Sequence, residues 1–357
     1  MKIGIVGLPN AGKSTLFNAL TAAAAETGDY PFTTVEPNVA VVEVPDERLD
    51  RVADTLGSSA VVRETIEFHD IAGLVRGASE GEGLGNRFLA SIRETDAICH
   101  VIRAHSSEQV AHPDGRVDPL ADAELIEAEL LAADLEGAER RQERLTREAR
   151  SGDKAAVAEH AWLERVVEAL SAGRPARGVP LPDAAPDALR KLAPLTAKPV
   201  LYVVNVDEGS DEPPEAMVRH AEGMDAAVIA ISAQVEAELR ELEPSEAEEM
   251  RTELGIERSG LEQLIRAAFE LLDLVSFFTA DTGKEATGRT LGRGGTAYEA
   301  AGKVHGDFQR RFVRAEVVGW DELVDAGSYA GARERGTLRT EGRDYVIRDG
   351  DVITIRV

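Results

Sequence analysis

The sequence predicts an α/β fold: a mostly parallel sheet with flanking helices, interrupted by a helical hairpin and followed by a small strand-rich module. Three observations predict it. Residues 1–117 alternate strand-like and helix-like stretches, the pattern of a parallel sheet. Residues 118–195 change to long, charged, helix-periodic sequence. Residues 276–357 return to short strand-like runs around one helix-like segment.

The first element is the apolar run of residues 2–6, followed by Gly7-Leu-Pro-Asn-Ala-Gly-Lys-Ser14 and a helix-like stretch over residues 14–25. A Gly-x4-Gly-Lys-Ser loop between strand and helix is a phosphate cradle. Main-chain N–H groups of Asn10, Ala11, Gly12, Lys13, Ser14 and Thr15 can curl around phosphate oxygens. The Lys13 ammonium neutralises the β- and γ-phosphates, and the helix N-terminus adds its dipole. Ser14 is placed to ligate Mg²⁺. Asn10 sits where related loops hold a K⁺ ion beside the phosphates, and shaping the turn is the competing role.

The next segment, Tyr30-Pro-Phe-Thr-Thr-Val-Glu-Pro-Asn38, is a loop whose threonine can close over Mg²⁺ and the γ-phosphate. Thr34 is the candidate ligand, with Thr33 as the alternative. Then comes Glu67-Phe-His-Asp-Ile-Ala-Gly73. Asp70 ends an apolar strand, where a carboxylate holds a metal-bound water, and the Gly73 N–H can sense the γ-phosphate. Residue 74 is leucine, so the glutamine that orients water in Ras-like enzymes is absent, which points to slow turnover or another positioning group. His69 reads as structural rather than catalytic.

In residues 118–195 an a/d seam runs through Leu131, Leu135, Ala138, Gln142, Leu145 and Ala149. Ser151-Gly-Asp153 breaks the helix, and Ala156, Leu163, Val166 and Leu170 make a second stripe. Together they predict an antiparallel helical hairpin. Residues 173–187, with four prolines and two glycines, form a connector. The sheet resumes at residues 199–205 and 227–231 and runs to about residue 275.

The strand over residues 200–204 leads into Asn205-Val-Asp-Glu208, where G proteins carry Asn-Lys-x-Asp. That aspartate accepts from both N1–H and the 2-amino group of guanine. Here the fourth position is Glu208, one methylene longer, and Val206 replaces the lysine that packs along the base. Ser232 and Ala233 begin the loop that backs the base. Guanine selectivity is weakened; a preference for adenine does not follow from these residues alone.

In the last module, residues 277–278 and 289–291 predict paired strands, residues 296–312 a helix, and residues 345–357 a closing hairpin with an Asp-Gly turn. Lys303, Arg310 and Arg314 would share one face of that helix, a candidate RNA-facing surface, with Phe308 and Phe312 in the core.

Composition bounds the rest. The chain has 357 residues, 43% hydrophobic, enough for two or three domains. A single cysteine, Cys99, permits no internal disulfide and fits a reducing compartment. No apolar run reaches membrane-spanning length, and the chain enters a strand directly, so a cytoplasmic location is expected. The net charge is −25, which argues against DNA binding and wholesale nucleic-acid coating. Residues 276–357 carry 13 basic and 13 acidic residues, so the excess lies in residues 1–275.

Together these motifs resemble those of the YchF-type Obg-like ATPases. The resemblance covers essentially the whole chain. It rests on residues 7–15, the 30–38 segment, Asp70-Ile-Ala-Gly-Leu-Val-Arg-Gly-Ala-Ser-Glu-Gly-Glu-Gly-Leu-Gly-Asn86, Asn205-Val-Asp-Glu208 and Ala300-Ala-Gly-Lys-Val-His-Gly-Asp-Phe308. It implies a P-loop NTPase G domain over residues 1–117 and 196–275, a helical insertion over 118–195, and a C-terminal β-grasp (TGS) domain over 276–357. It implies ATP hydrolysis with tolerance of GTP, and Mg²⁺ held by Ser14 and Thr34. It also implies association with the ribosome, on the large subunit, through the arm or the TGS domain. Val206 carries over as a base contact, and Leu74 as the family's hydrophobic replacement. Two alternatives stand beside this reading: an RNA-binding module with vestigial hydrolysis, and a GTP-preferring Obg-like GTPase. His69 replaces an expected small aliphatic residue, and Gly288 an expected aromatic one.

Overall fold

A computed structural model describes residues 1–26, 38–71, 84–106, 116–256 and 259–357. Thr33, Thr34, Gly73 and Leu74 lie outside the described residues. The strands, in chain order, are β1 (Lys2–Val6), β2 (Val39–Glu43), β3 (Ala60–Val62), β4 (Thr65–Asp70), β5 (Ala97–Arg103), β6 (Val200–Asn205), β7 (Ala227–Ile231), β8 (Leu274–Ala280), β9 (Glu285–Gly292), β10 (Arg314–Gly319), β11 (Arg339–Glu341) and β12 (Asp351–Arg356). They fall into two units: residues 1–42 with 67–271, and residues 43–66 with 272–357.

The first unit is built on a sheet of order β2-β4-β1-β5-β6-β7. β1 runs parallel to β4 and β5, β5 to β6, and β6 to β7. Every residue of β5 and β6 is buried. Continuous apolar strands of this kind require helices on both faces. The register brings the C-terminal ends of β1, β4, β5 and β6 to one edge, where ligands bind in open parallel sheets.

The predicted hairpin is present as helices Pro119–Arg150 and Lys154–Ser171. Asp118 and Asp153 cap them, accepting from the N–H groups of Ala121 (3.1 Å) and Ala156 (2.8 Å). Ala138, Leu145, Ala156, Trp162, Leu163, Val166 and Leu170 form its buried seam. Its root is pinned by Asp134, whose buried carboxylate accepts from Leu195 N–H, Thr196 N–H and the Thr196 hydroxyl at 2.7–2.8 Å. Burial still leaves the Asp134 pKa above the usual carboxylate value, against the pull of those three donors.

The second unit is a mixed sheet of order β11-β10-β12-β8-β9-β3. Adjacent residues face opposite ways, so Phe277, Val317 and Ile353 enter one core and Phe278, Val318 and Val352 the other. Helix Ala297–Val304 covers the first core. The second is covered by helix Glu47–Leu56 through Leu49, Val52, Ala53 and Leu56. Here the structure departs from the expected boundaries. Residues 43–66 belong to this unit and not to the sheet around β1, because β3 pairs in parallel with β9 and the helix before it buries its apolar face on this core.

Two local expectations are also corrected. The helix expected over residues 296–312 stops at Val304; His305 is extended (φ −166°, ψ 142°), and a short helix Gly306–Arg310 follows. Arg314 opens β10, so Lys303, Arg310 and Arg314 do not share a helix face. Phe312 is buried as expected, but Phe308 is 37% exposed. Nor do residues 345–357 form a hairpin of their own. β12 pairs with β10 and β8, and Val346 makes only an isolated bridge to Thr296. Gly288 packs against Leu49, whose Cδ2 would lie 3.2 Å from a Cβ at that position. Leu49 thus occupies the space an aromatic side chain would need.

Candidate nucleotide-binding site

The loop after β1 wraps the start of helix Lys13–Glu26. Gly7 and Gly12 have φ of +156° and +98°. A Cβ on Gly7 would lie 2.3 Å from the Val101 carbonyl oxygen, and one on Gly12 would lie 2.2 Å from Asn205 Nδ2. Both positions demand glycine, for conformation and for space. Asn10 is also left-handed, at φ 65°, a region asparagine tolerates.

Lys13 projects back across the loop and donates to the carbonyls of Gly7 (2.8 Å) and Leu8 (2.9 Å). Burial lowers its pKa, while the charge of Asp70 acts to raise it. The parallel pairing of β1 and β4 sets Asp70 in register with Ile5, two residues before the loop that leads from Gly7 to Lys13. Asp70 is half-buried and its N–H donates to Asn38 O at 2.9 Å. His69 meets Glu67 Oε2 at 3.1 Å through Nε2, two residues away on the same face of β4, so a structural partner accounts for it.

Asn205, at the end of β6, joins the two halves of the site. Its Nδ2 donates to Ala11 O at 3.1 Å, and its Oδ1 accepts from Ala233 N–H at 3.0 Å. Its own carbonyl accepts from the N–H groups of Ala104 (2.8 Å) and His105 (3.0 Å). One side chain therefore ties the phosphate loop to the loop after β7, and its backbone ties both to the end of β5. Ser232 caps helix Ala233–Leu239, which fixes the direction of that loop.

An open cleft of about 810 Å³ lies along these elements. Asn10, Gly12, Lys13, Ser14 and Thr15 of the phosphate loop line it together with Asn205, Val206, Glu208, Ser232 and Ala233. Ala11 is buried and turns its carbonyl to Asn205 instead of the cleft. Asp70 is absent from the lining and meets the site through Lys13. Glu208 is exposed, whereas Val206 is buried.

Sequence reasoning missed His105, Ser106 and Asp207, which also line the cleft. The Asp207 carboxylate accepts from Ser106 N–H (3.1 and 3.2 Å) and from its hydroxyl (3.1 Å). The position reads as a spacer in Asn-Val-Asp-Glu; only the adjacency of β5 and β6 reveals its partner. Burial lowers the His105 pKa, with the charge of Arg103 adding to that effect and Asp207 opposing it.

A glycine-rich cradle after β1 with its lysine at the start of the next helix, joined by an asparagine at the end of β6 to the loop after β7, defines a P-loop nucleotide-binding protein of the G-domain class. Comparison with known proteins agrees. A family model described as 50S ribosome-binding GTPase matches residues 2–134. A YchF C-terminal model, described as a protein of unknown function (DUF933), matches residues 274–357. The ribosome-binding ATPase YchF of Bacillus subtilis (strain 168) is 47% identical over 359 residues, covering 99% of this chain and 98% of that protein. Its counterpart in Escherichia coli O157:H7 is 45% identical over 355 residues, with 99% and 98% covered. The solved structure of the Schizosaccharomyces pombe YchF GTPase superposes with a TM-score of 0.88 at 33% identity, covering 100% of this chain and 97% of that one. The chain belongs to the YchF family.

Proposed function

We propose that this protein is a ribosome-associated, Mg²⁺-dependent P-loop ATPase of the cytoplasm that also accepts GTP and turns over slowly without its partner. The floor of the cleft supports weakened guanine selectivity, and the names of the bacterial relatives support ATP as the substrate. Asn205 joins the two loops, Val206 presents no charge, and Glu208, at the sequence position of the guanine-reading aspartate, is exposed. The bacterial relatives are named ATPases and ribosome-binding, in keeping with this reading, although the S. pombe structure is described as a GTPase.

In this reading the Lys13 ammonium exchanges its two loop carbonyls for β- and γ-phosphate oxygens, and main-chain N–H groups of residues 10–15 supply the remaining donors. The donor set suits a hard cation: the Ser14 hydroxyl at the cleft, with the Asp70 carboxylate near Lys13. Thr34 completes the set on sequence grounds, and Asp70 acts through a water. When bound, Mg²⁺ neutralises charge developing between the β- and γ-phosphates. Gly73 reports the γ-phosphate, and Leu74 provides no group to orient water, so hydrolysis waits on the ribosome. The arm and the C-terminal unit are the contact surfaces.

Release of phosphate from ATP with purified ribosomes tests the proposal. Wild-type protein should hydrolyse ATP, faster with ribosomes, while Lys13→Ala should neither bind nor hydrolyse. Normal ATP affinity in Lys13→Ala refutes the site.

A further inference from the structure

One helix of the hairpin serves two cores. Helix Pro119–Arg150 buries Ala123, Ile126, Leu130 and Ala133 in the core of the sheet around β1, and Ala138 and Leu145 in the seam of the hairpin. The change of core falls at Asp134, where the Leu195 and Thr196 donors hold it. At 1.5 Å per residue the helix runs about 24 Å beyond Asp134 and about 22 Å before it. A helix held at that point is a lever. A shift at its outer end is matched by a shift of similar size and opposite sense at its root.

Packing under the root is incomplete. A cavity of about 30 Å³ lies there, lined among others by Ile98, His100, Leu130, Thr196, Val200 and Tyr202. That is room for about two water molecules, but the walls are almost wholly apolar. His100 is 2% exposed, and its Nε2 has no hydrogen-bond partner among the described residues. A void and an unmet polar atom both lower stability. Folding alone would remove both, by one more methylene at Val200 and a carbon ring at His100. The far wall is fixed, because Arg177 donates to the carbonyls of Thr196 and Lys198 (3.2 Å each) and of Met224 (2.6 Å). The near wall is the helix itself. Its Glu127 carboxylate accepts from the Tyr202 hydroxyl and meets His220 Nε2 at 2.8 Å.

The same core reaches the phosphate loop. Val6 and Leu8 belong to it, His100 is in register with Val6, and the Leu8 carbonyl accepts from Lys13.

We propose that this cavity is the seat of a two-position arm: load on the hairpin tips the root of helix Pro119–Arg150 into it, and the core passes the movement through Leu8 to Lys13. Packed helices shift by about 1–2 Å in such transitions, and the void admits that without overpacking. The linkage is reciprocal, so a nucleotide that draws Lys13 from the Gly7 and Leu8 carbonyls alters the arm root in turn. The proposal rests on the ribosome-associated reading only for the identity of what loads the arm.

The test uses full-length protein. Hydrogen exchange of residues 119–133 is followed by mass spectrometry with and without a non-hydrolysable ATP analogue and Mg²⁺, and ATP hydrolysis is measured with and without ribosomes. In wild type the analogue should shift exchange in this segment roughly fivefold. Val200→Ile fills the cavity. It should melt at or above the wild-type temperature and hydrolyse ATP alone at the wild-type rate. It should lose both the exchange response and the stimulation by ribosomes. Val200→Ala, which enlarges the cavity, should melt lower and keep both responses. A Val200→Ile protein that melts below wild type, keeps its exchange response or keeps full stimulation overturns the proposal. So does wild-type protein that binds the analogue with no change in residues 119–133. An exchange response that Val200→Ile abolishes, in a protein that ribosomes never stimulate, supports the arm seat and sinks the ribosome reading instead.

Discussion

Replacing Asn205 with alanine tests whether the cleft is assembled before a nucleotide arrives. The substitution removes two buried hydrogen bonds, at 3.1 Å to Ala11 O and 3.0 Å from Ala233 N–H. Each is worth about 1 kcal/mol net, and each buried group left without a partner costs about 1–3 kcal/mol. Ala11 and Ala233 are both 2% exposed, so water cannot readily replace the lost side chain. The combined effect is about 2–6 kcal/mol, which is roughly 30-fold in affinity at the low end and about 10⁴-fold at the high end if it falls on binding. Calorimetric titration with ATP measures that share, and thermal unfolding without nucleotide measures the remainder. Asn205→Asp separates the two bonds: the acceptor toward Ala233 survives, while the donor toward Ala11 becomes an oxygen facing an oxygen. The buried carboxylate also carries an unpaired charge beside the phosphate cradle, so its loss should be at least as large as that of the alanine variant. If Asn205→Ala changes ATP affinity less than threefold and leaves the melting temperature unaltered, Asn205 does not join the loops energetically.

Three further outcomes follow from the same structure. Leu49 is 1% exposed in the core it shares with Phe278, so Leu49→Ala should destabilise the C-terminal unit by about 2–5 kcal/mol, read as a lower urea midpoint. An unchanged midpoint would mean that residues 43–66 are dispensable there. His100 is buried against the Tyr202 ring at 5.7 Å, and burial first, then the charges of Lys13 and His220, lower its pKa to about 3. The unfolded chain therefore takes up this proton first. The stabilisation is complete above about pH 6.5 and is lost as pH falls from there toward 3, about 2 kcal/mol of it by pH 5. His100→Gln should lose less stability than wild type between pH 7 and 5, and parallel losses would refute the assignment. If Asn10 helps hold K⁺, hydrolysis should be faster in KCl than in NaCl at equal ionic strength; equal rates remove that role.

Much of the nucleotide site was legible because its signals are local. Gly7, Gly12 and Lys13 lie within one strand-loop-helix unit, and the backbone angles and close approaches explain why those residue types stand there. The hairpin was legible for the same reason: the 3–4 spacing from Leu131 to Ala149 and the Ser-Gly-Asp break are contiguous. What was missed depends on partners far apart in sequence. Helix Glu47–Leu56 shows an apolar stripe, but nothing in the stripe names the core that receives it, 220 residues away. β3 has three residues, too few to show a period. The clasp between Asp207 and Ser106 exists only because β5 and β6 are neighbours. At His305 a good helical pattern on both sides concealed a turn set by the histidine ring capping the next segment.

The central claim is that the cleft grips a triphosphate whose base is not selected as guanine. Paired calorimetric titrations of the purified protein with ATP and GTP, each with Mg²⁺, test it most directly. The account predicts that ATP binds at least as tightly as GTP. A preference for GTP of tenfold or more, or no heat with either nucleotide, would contradict it.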